Sequence, residues 1–522
     1  MKFNILLVTS RSVTLELDNH DIYESKEAFD VFVDDVLVYE NHKRNVLSIY
    51  GLLPQKDYTI TIMGKTSALS TSHSITTAYE YVSLNVRDFG AIGDGIHDDS
   101  AAIQTAILAC PDFGRVYLPK GTYVSAPIFL KSNILIELEK GTIILGHTDI
   151  TRYGILPGLV PLNDGSDDYN LGSWEGNPLP QHASQITGIN VKNVTIIGEA
   201  TIDCNAEKAG WWDNHRVPKR GAWRPNGVFL NQCENIVFQG VAITNTGAWN
   251  LHPYFSKNIS FLDMKLISPK DSPNTDGCDP ESCDGVDIIG VDFSVGDDCI
   301  AIKSGKIYMG AKYKKPSENF QIRNCLMEFG HGAVVFGSEN SGGIRNIWTE
   351  RCIFRKTDRG LRIKTRRGRG KDAIIDGITF KNILMDEVLS PLVINMYYDR
   401  CDPDGLSEYV YSKKPLPIDE RTPFLGEFTF KDMTCTNVEV AAGFFYGLPE
   451  MPIKKITIEN VTFSYKEDAE PGYPAMMQHL DPMAKKGLYF NFVDDVELSN
   501  VTVIDPEGDE VEYHHVKSFK KA

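Results

Sequence analysis

Four short polar clusters lie between residues 274 and 364: Asn274-Thr275-Asp276, Asp297-Asp298, Gly330-His331-Gly332 and Arg362-Ile363-Lys364. Together they offer three carboxylates, one imidazole and two cations. Cleaving a glycosidic bond requires a protonated acid for the leaving oxygen. It also requires a second carboxylate that activates water or attacks carbon. Crowded carboxylates repel one another, which drives one to a high pKa and keeps it protonated. Cations beside them offset that repulsion and can bind the carboxylate of an acidic sugar, an arginine by a bidentate contact. His331, between two glycines, can hydrogen-bond to the acid and tune it. Each cluster alone is weak. An Asp-Asp pair is more often a turn or a calcium ligand, and a lone histidine is more often structural. The ordered set carries the reading, and these residues by themselves leave open which Asp is acid and which is base.

The spacing demands a frame. Asp276 and Asp297 are 21 residues apart, which places them on adjacent rungs if successive coils stack. Arg362 and Lys364 are two apart and share one face of a strand. Asp297 and Asp298 would point to opposite faces of a regular strand, so the backbone must bend there, and Gly296 would permit it.

The surrounding sequence supplies such a frame. Asn193-Val194-Thr195-Ile196-Ile197, Asn235-Ile236-Val237-Phe238, Asn258-Ile259-Ser260-Phe261, Asn319-Phe320-Gln321-Ile322 and Asn346-Ile347-Trp348 repeat one shape. Most steps are roughly 23–33 residues, a solenoid period. No helical repeat intervenes. The expected fold is all-β, a right-handed parallel β-helix over residues 83–515. A helix near Asp98-Asp99, burying Ala102, Ile103, Ala106 and Ile107, would cap its open end.

Residues 1–80 read as a separate small β-sandwich, with strands at 3–8, 12–17, 30–39, 45–51 and 57–63. Leu52 to Tyr58 resembles the tyrosine corner of fibronectin type III domains, where the Tyr hydroxyl ties back to the backbone. The unit carries no catalytic constellation; spacer, docking surface and weak sugar binder are open for it, with structural spacer the favoured reading.

Composition narrows the partners. The chain has 522 residues and a formal net charge of −17, which argues against nucleic acid. No apolar run approaches the ~20 residues of a membrane span. The start runs from Phe3 straight into strand-like sequence, which predicts a folded, retained N-terminus and favours the cytoplasm. Ten cysteines in this length do not form a disulfide scaffold. Cys278 and Cys283 lack the partners of a zinc site, so no metal is expected. From Arg355 to Lys371 nine residues are basic and only Asp358 is acidic. Their place beside the other clusters makes them candidates for an anionic substrate.

The four clusters, with Gly296-Asp297-Asp298-Cys299-Ile300-Ala301-Ile302-Lys303-Ser304-Gly305, resemble the signature of glycoside hydrolase family 28, the polygalacturonases. The resemblance implies a parallel β-helix and inverting hydrolysis of α-1,4-linked galacturonic acid in pectin degradation, without cofactor or metal. It implies Asp297 as general acid, Asp276 and Asp298 as the water-activating pair and His331 as support for the acid. Arg362 and Lys364 would bind the sugar, with Asn274 and Lys303 of the matched text as further substrate contacts. Long segments at 151–185, 206–225 and 397–423, an insertion at 308–316 and the N-terminal unit resemble the exo-acting bacterial branch. That branch closes one end of the cleft and cuts from the non-reducing end. Trp211, Trp212, His215, Trp223, Arg224, His252, Arg366 and Arg367 are candidates for the end pocket. Endo-polygalacturonase, rhamnogalacturonan hydrolase, pectate lyase and a non-catalytic glycan-binding β-helix are the alternatives. The expected partner is galacturonan or its oligosaccharides, and the oligomeric state is left open.

Overall fold

The computed structural model of the chain describes residues 1–161, 169–400 and 403–522. Parts of the long segments at 151–185 and 397–423 therefore lie outside the described residues. No helix among the described residues is long and apolar enough to cross a membrane.

Seven antiparallel strands come first: β1 (Phe3–Val8), β2 (Ser12–Leu17), β3 (Glu24–Val33), β4 (Val36–Arg44), β5 (Val46–Tyr50), β6 (Asp57–Gly64) and β7 (Ser70–Thr76). They form sheets of order β1-β2-β5 and β4-β3-β6-β7. The expected strand at 30–39 is two strands, because Asp34 and Asp35 both take positive φ and turn the chain. β7 was not foreseen, since Ser70–Thr76 has only one buried residue and no apolar alternation. The hydroxyl of Tyr58 accepts from Leu53 N at 2.9 Å, the tie-back expected of the corner.

From Ser83 onward the chain winds into a parallel β-helix. One interior row runs through Val194, Ile236, Ile259, Val286, Phe320, Ile347, Ile378, Phe428, Ile456 and Val496, each paired in register with the next. All ten are buried. Each such side chain contributes about 1.5–3 kcal/mol, and none finds that burial without the coil above and below. The Asn that opens each repeat has its own purpose. Asn193, Asn235 and Asn258 adopt positive φ, which Asn tolerates better than most residues. Their side-chain amides donate in series, Asn258 to Asn235 to Asn193 to Asn133, at 2.8–3.0 Å.

Helix α1 (Ser100–Ala109) covers the first coils with Ile103, Ala106 and Ile107 buried. Asp98 accepts from Ser100 N, while Asp99 instead holds the preceding turn through Ile92 N and Gly93 N. The 308–316 insertion forms a second short helix, α2 (Ile307–Tyr313).

The N-terminal unit is docked along the solenoid wall rather than held off as a spacer. β2 is buried on both faces. Val13, Leu15 and Leu17 enter the sandwich core. Ser12, Thr14 and Glu16 meet polar coil corners instead. Ser12 donates to Gln239, Gln239 donates to Thr14, and Glu16 pairs with Arg323 at 3.0 Å and Arg351 at 2.7 Å. Val46 packs with Leu262 and Ile289. The unit thus touches five successive coil corners, the last four of them on the coils that carry the four polar clusters.

Candidate active site

The site lies on a different sheet of the solenoid from the docked unit. Its strands are β8 (Leu251–Tyr254), β9 (Ile300–Ile302), β10 (Val334–Gly337), β11 (Arg359–Lys364) and β12 (Ser390–Asn395). Leu251, Cys278, Ile300, Val334, Leu361 and Leu392 stack in register and point inward. Positions between them point outward, so Arg362 and Lys364 face the solvent side together.

The aspartates sit in the turns that lead into these rungs. Asp297 and Asp298 precede β9, so strand alternation does not apply to them. Gly296 is required by close approach and not by φ. A Cβ there would lie 2.6 Å from the carbonyl oxygens of Pro269 and Ser272. The glycines flanking His331 do similar work. A Cβ on Gly330 would meet Asp297 O at 2.5 Å, and His331 N donates to that same oxygen at 3.1 Å.

One oxygen from each of Asp276, Asp297 and Asp298 lies within 4.8 Å of the others. Their environments drive them apart. Burial, then the charge of Asp298, raises the pKa of Asp297. Burial, then Asp279 and Asp297, raises Asp276 well above the carboxylate range. Burial acts to raise Asp298 too, but Lys364 and Arg362 outweigh it and hold it below its ordinary value. Lys364 Nζ is 2.5 Å from Asp298 Oδ2 and Arg362 Nη1 is 3.8 Å from Oδ1. His331 Nδ1 pairs with Asp358 at 2.9 Å, a bond that raises the imidazole pKa. A proton donor and an ionised carboxylate therefore stand side by side, as general acid–base cleavage requires. The three oxygens are also spaced to hold a cation, although Lys364 and Arg362 already bring positive charge to Asp298.

These groups line a cavity of about 380 Å³. Of the proposed substrate contacts, Asn274, Lys303, Arg362 and Lys364 line it. Lys303 reaches Asp279 and Glu339, both at 3.2 Å. Those two carboxylates outweigh burial and hold the ammonium well above its usual pKa.

The other candidates stand behind the cavity. Arg224 is buried and donates to Asn274 Oδ1 at 2.6 Å, so it positions that residue. His252 is fully buried, pairs with Glu281 at 3.2 Å and sits edge-on to Trp249. Trp223 stacks on Trp174 at 4.7 Å. Arg366 is buried and donates to Tyr398 O. Arg367 is spent on Glu450 and on the carbonyls of Tyr409, Ser412 and Lys414, where it fastens that segment. Trp211 is core, and Trp212 and His215 line a separate chamber. The basic run divides likewise. Arg355, Lys356 and Lys371 form surface pairs, and Arg359 binds the carbonyls of Tyr473 and Pro474.

The cavity also has walls that the clusters did not announce: Glu175, Arg216, Trp249, Glu339, Tyr398, Arg400 and Met476. The hairpin carrying Trp174 and Glu175 reaches over the sheet. Lys306 N donates to Gly176 O at 3.2 Å, and Gly176 lies against the side chain of Glu339. Trp174 stacks in turn near Trp249, with the Arg224 guanidinium over its ring. Trp174 and Trp223 lie in the long segments at 151–185 and 206–225, of which only Trp223 was an end-pocket candidate, and Trp249 lies outside those segments with no signal of its own. The nine described cysteines are buried and free.

A family model described as glycosyl hydrolases family 28 matches residues 163–409. A second, described as rhamnogalacturonase A/epimerase, pectate lyase-like, matches residues 83–148. A probable polygalacturonase of Vitis vinifera is 29% identical over 405 residues, 74% of this chain and 77% of that one. The structure of a family 28 exopolygalacturonase from Yersinia enterocolitica has the same fold. It covers 99% of this chain and 98% of its own, with a TM-score of 0.72 at 19% identity. A hyperthermoactive exopolygalacturonase from Thermotoga maritima is 26% identical, covering 80% of this chain and 91% of its own with a TM-score of 0.63. Over residues 163–409 the chain is similar to glycosyl hydrolases family 28, and the protein is a glycoside hydrolase.

Proposed function

We propose that the protein hydrolyses α-1,4-galacturonosyl bonds of galacturonan and its oligosaccharides, releasing short products from the non-reducing end. The observation that carries the substrate is the charge of the cavity wall. Arg216, Lys303, Arg362, Lys364 and Arg400 surround the aspartates, a setting that suits a chain with one carboxylate per sugar. Asp297 is the most accessible of the three aspartates and serves as general acid, with His331 beside it. Asp298, held ionised by Lys364 and Arg362, takes the proton of the attacking water, and Asp276, held protonated, orients that water by a hydrogen bond.

The outcome at the anomeric carbon is inversion. The oxygens lie within 4.8 Å, closer than the ~6.5–9.5 Å between acid and base in most inverting glycosidases. A water shared between Asp276 and Asp298 makes two hydrogen bonds of about 2.8 Å that meet at its roughly tetrahedral angle and span about 4.5 Å, so the spacing accommodates it.

Support for an exo mode comes from the hairpin of Trp174 and Glu175, which lines the cavity and is fastened to Trp223 and Trp249 of earlier coils and to Lys306 of a later one. The Yersinia and Thermotoga neighbours are exopolygalacturonases by name. The N-terminal unit we read as fibronectin type III-like, on its sheets of three and four strands and the Tyr58 tie-back. The test is a product time course from polygalacturonate and from trigalacturonate, with ultraviolet detection. Saturated mono- or digalacturonate from the earliest point, in the β-anomer by NMR, is expected. A ladder of mixed oligomers refutes the exo mode, and an unsaturated product refutes hydrolysis.

A further inference from the structure

Beside the catalytic cavity lies a second chamber of about 390 Å³. Glu207, Trp212, His215 and Asp271 line it, backed by Pro269 and Pro273. His215 and Pro273 are chain neighbours of Arg216 and Asn274, which line the catalytic cavity. The two spaces therefore border the same pair of loops. Trp212 is half-buried, and its indole Nε1 donates to Thr246 O at 3.0 Å, which fixes the ring. An anchored, partly exposed indole is a stacking surface for the C–H face of a pyranose.

The catalytic cavity sets cations among its carboxylates, and among the described residues this chamber has no Lys or Arg in its lining. The formally charged linings are the exposed Glu207 and Asp271. Burial, then Arg224 and Arg216, keeps the His215 pKa below its ordinary value. The imidazole is thus neutral near pH 7, with one donor and one acceptor. Lys270 lies over the ring of Phe329, 3.3 Å from its centroid, and does not line the chamber. Carboxylates and a neutral imidazole accept hydrogen bonds from sugar hydroxyls, and the carboxylates repel a uronate.

We propose that this chamber is a subsite for a neutral sugar, a pyranose without a carboxylate, borne by the polysaccharide whose bond is cut in the neighbouring cavity. The identity of that polysaccharide rests on the galacturonan reading. Binding of the neutral sugar does not.

The two are tested separately. Methyl galactoside and methyl galacturonoside differ by one carboxylate. Each is titrated into the whole protein while the Trp212 indole N–H resonance is followed, assigned by its loss in Trp212→Phe. Each carboxylate at about 4 Å from a ligand carboxylate is worth roughly fivefold in water. The galactoside is therefore expected to move the resonance at a concentration at least about tenfold lower. In the Glu207→Gln/Asp271→Asn double variant the gap should close to about twofold. Equal or tighter response to the galacturonoside overturns the proposal, and so does a resonance that neither sugar moves. In the kinetic arm, Trp212→Phe should lower kcat/KM about tenfold for an oligogalacturonide carrying neutral sugar branches and leave the unbranched one unchanged. An equal effect on both substrates, or on neither, also overturns it. Failure to cleave any oligogalacturonide would sink the galacturonan reading while the indole titration still decides the neutral-sugar subsite.

Discussion

Replacing Lys364 with Met tests the division of labour among the aspartates. The ammonium lies 2.5 Å from Asp298 Oδ2, and the two side chains are only 11% and 2% exposed. Two unit charges about 4 Å apart interact by about 4 kcal/mol at an effective dielectric of ~20. Arg362 stays at 3.8 Å and water enters the space, so about half of that is lost. At 1.36 kcal/mol per pKa unit, the acid limb of the kcat/KM profile should move up by about 1.5 pH units. The sign follows from Asp298 being held below its ordinary pKa. Such a carboxylate stabilises the fold above its unfolded pKa of about 3.9, and that contribution is lost as pH falls through the folded value. Breaking a buried pair costs about 3–5 kcal/mol. The variant should therefore melt well below wild type at pH 7, and the difference should shrink as pH falls through the folded value, below which folded and unfolded chains both protonate Asp298. Initial rates by reducing-end release across pH, with melts at pH 7 and on stepwise acidification, measure this. An acid limb that stays in place in Lys364→Met would refute the claim that Lys364 keeps Asp298 ionised.

Asp297→Asn should lower kcat by about 10²–10⁴ with KM little changed, read from release of saturated product. Asp358→Asn takes the charge from the hydrogen bond that raises the His331 pKa, so the basic limb of the rate profile should move to lower pH. The stabilisation His331 gains is fullest below its unfolded pKa of about 6.5 and is lost as pH rises through the folded value. Thermal melts from pH 5 to 9 should therefore show Asp358→Asn most destabilising at the acid end. Glu16→Gln leaves Arg323 and Arg351 without their carboxylate and should cost about 2–4 kcal/mol in chemical denaturation, with kcat unaltered. Trp174→Ala removes the ring that stacks on Trp223 and holds the wall hairpin, and chromatography of early products should show longer oligomers.

Features that repeat locally were legible in the sequence. The Asn opening each repeat, followed by alternating apolar residues, announced both the coil and its period, because each coil meets the same neighbours as the last. The four clusters fall at equivalent turns and strand positions for the same reason, which brought Asp276, Asp297, Asp298, His331, Arg362 and Lys364 to one cavity. Features made by distant contacts were not legible. Met476 lies against Arg362 across 114 residues, and Trp249 meets Trp174 from another coil. No local pattern marks either. Arg367 and His252 look like substrate contacts by type, yet their partners Glu450 and Glu281 turn them into buried struts. Ser12, Thr14 and Glu16 read as the wet face of β2, since their partners on the solenoid come more than 200 residues later.

That last separation has a consequence in time. During synthesis the N-terminal unit emerges first, and Arg351 follows Glu16 by 335 residues. At about 5–20 residues per second, Glu16 waits roughly 17–67 s for its second arginine. Until Gln239 and the coils after it appear, the polar row of β2 is hydrated and Val46 is bare, so the unit must persist on the core beneath β2 and β3 alone. Coils then arrive one at a time beside a surface that already has the right corners spaced along it. The sandwich is in this sense a splint laid down before the limb, and winding can register against it from the moment Gln239 appears.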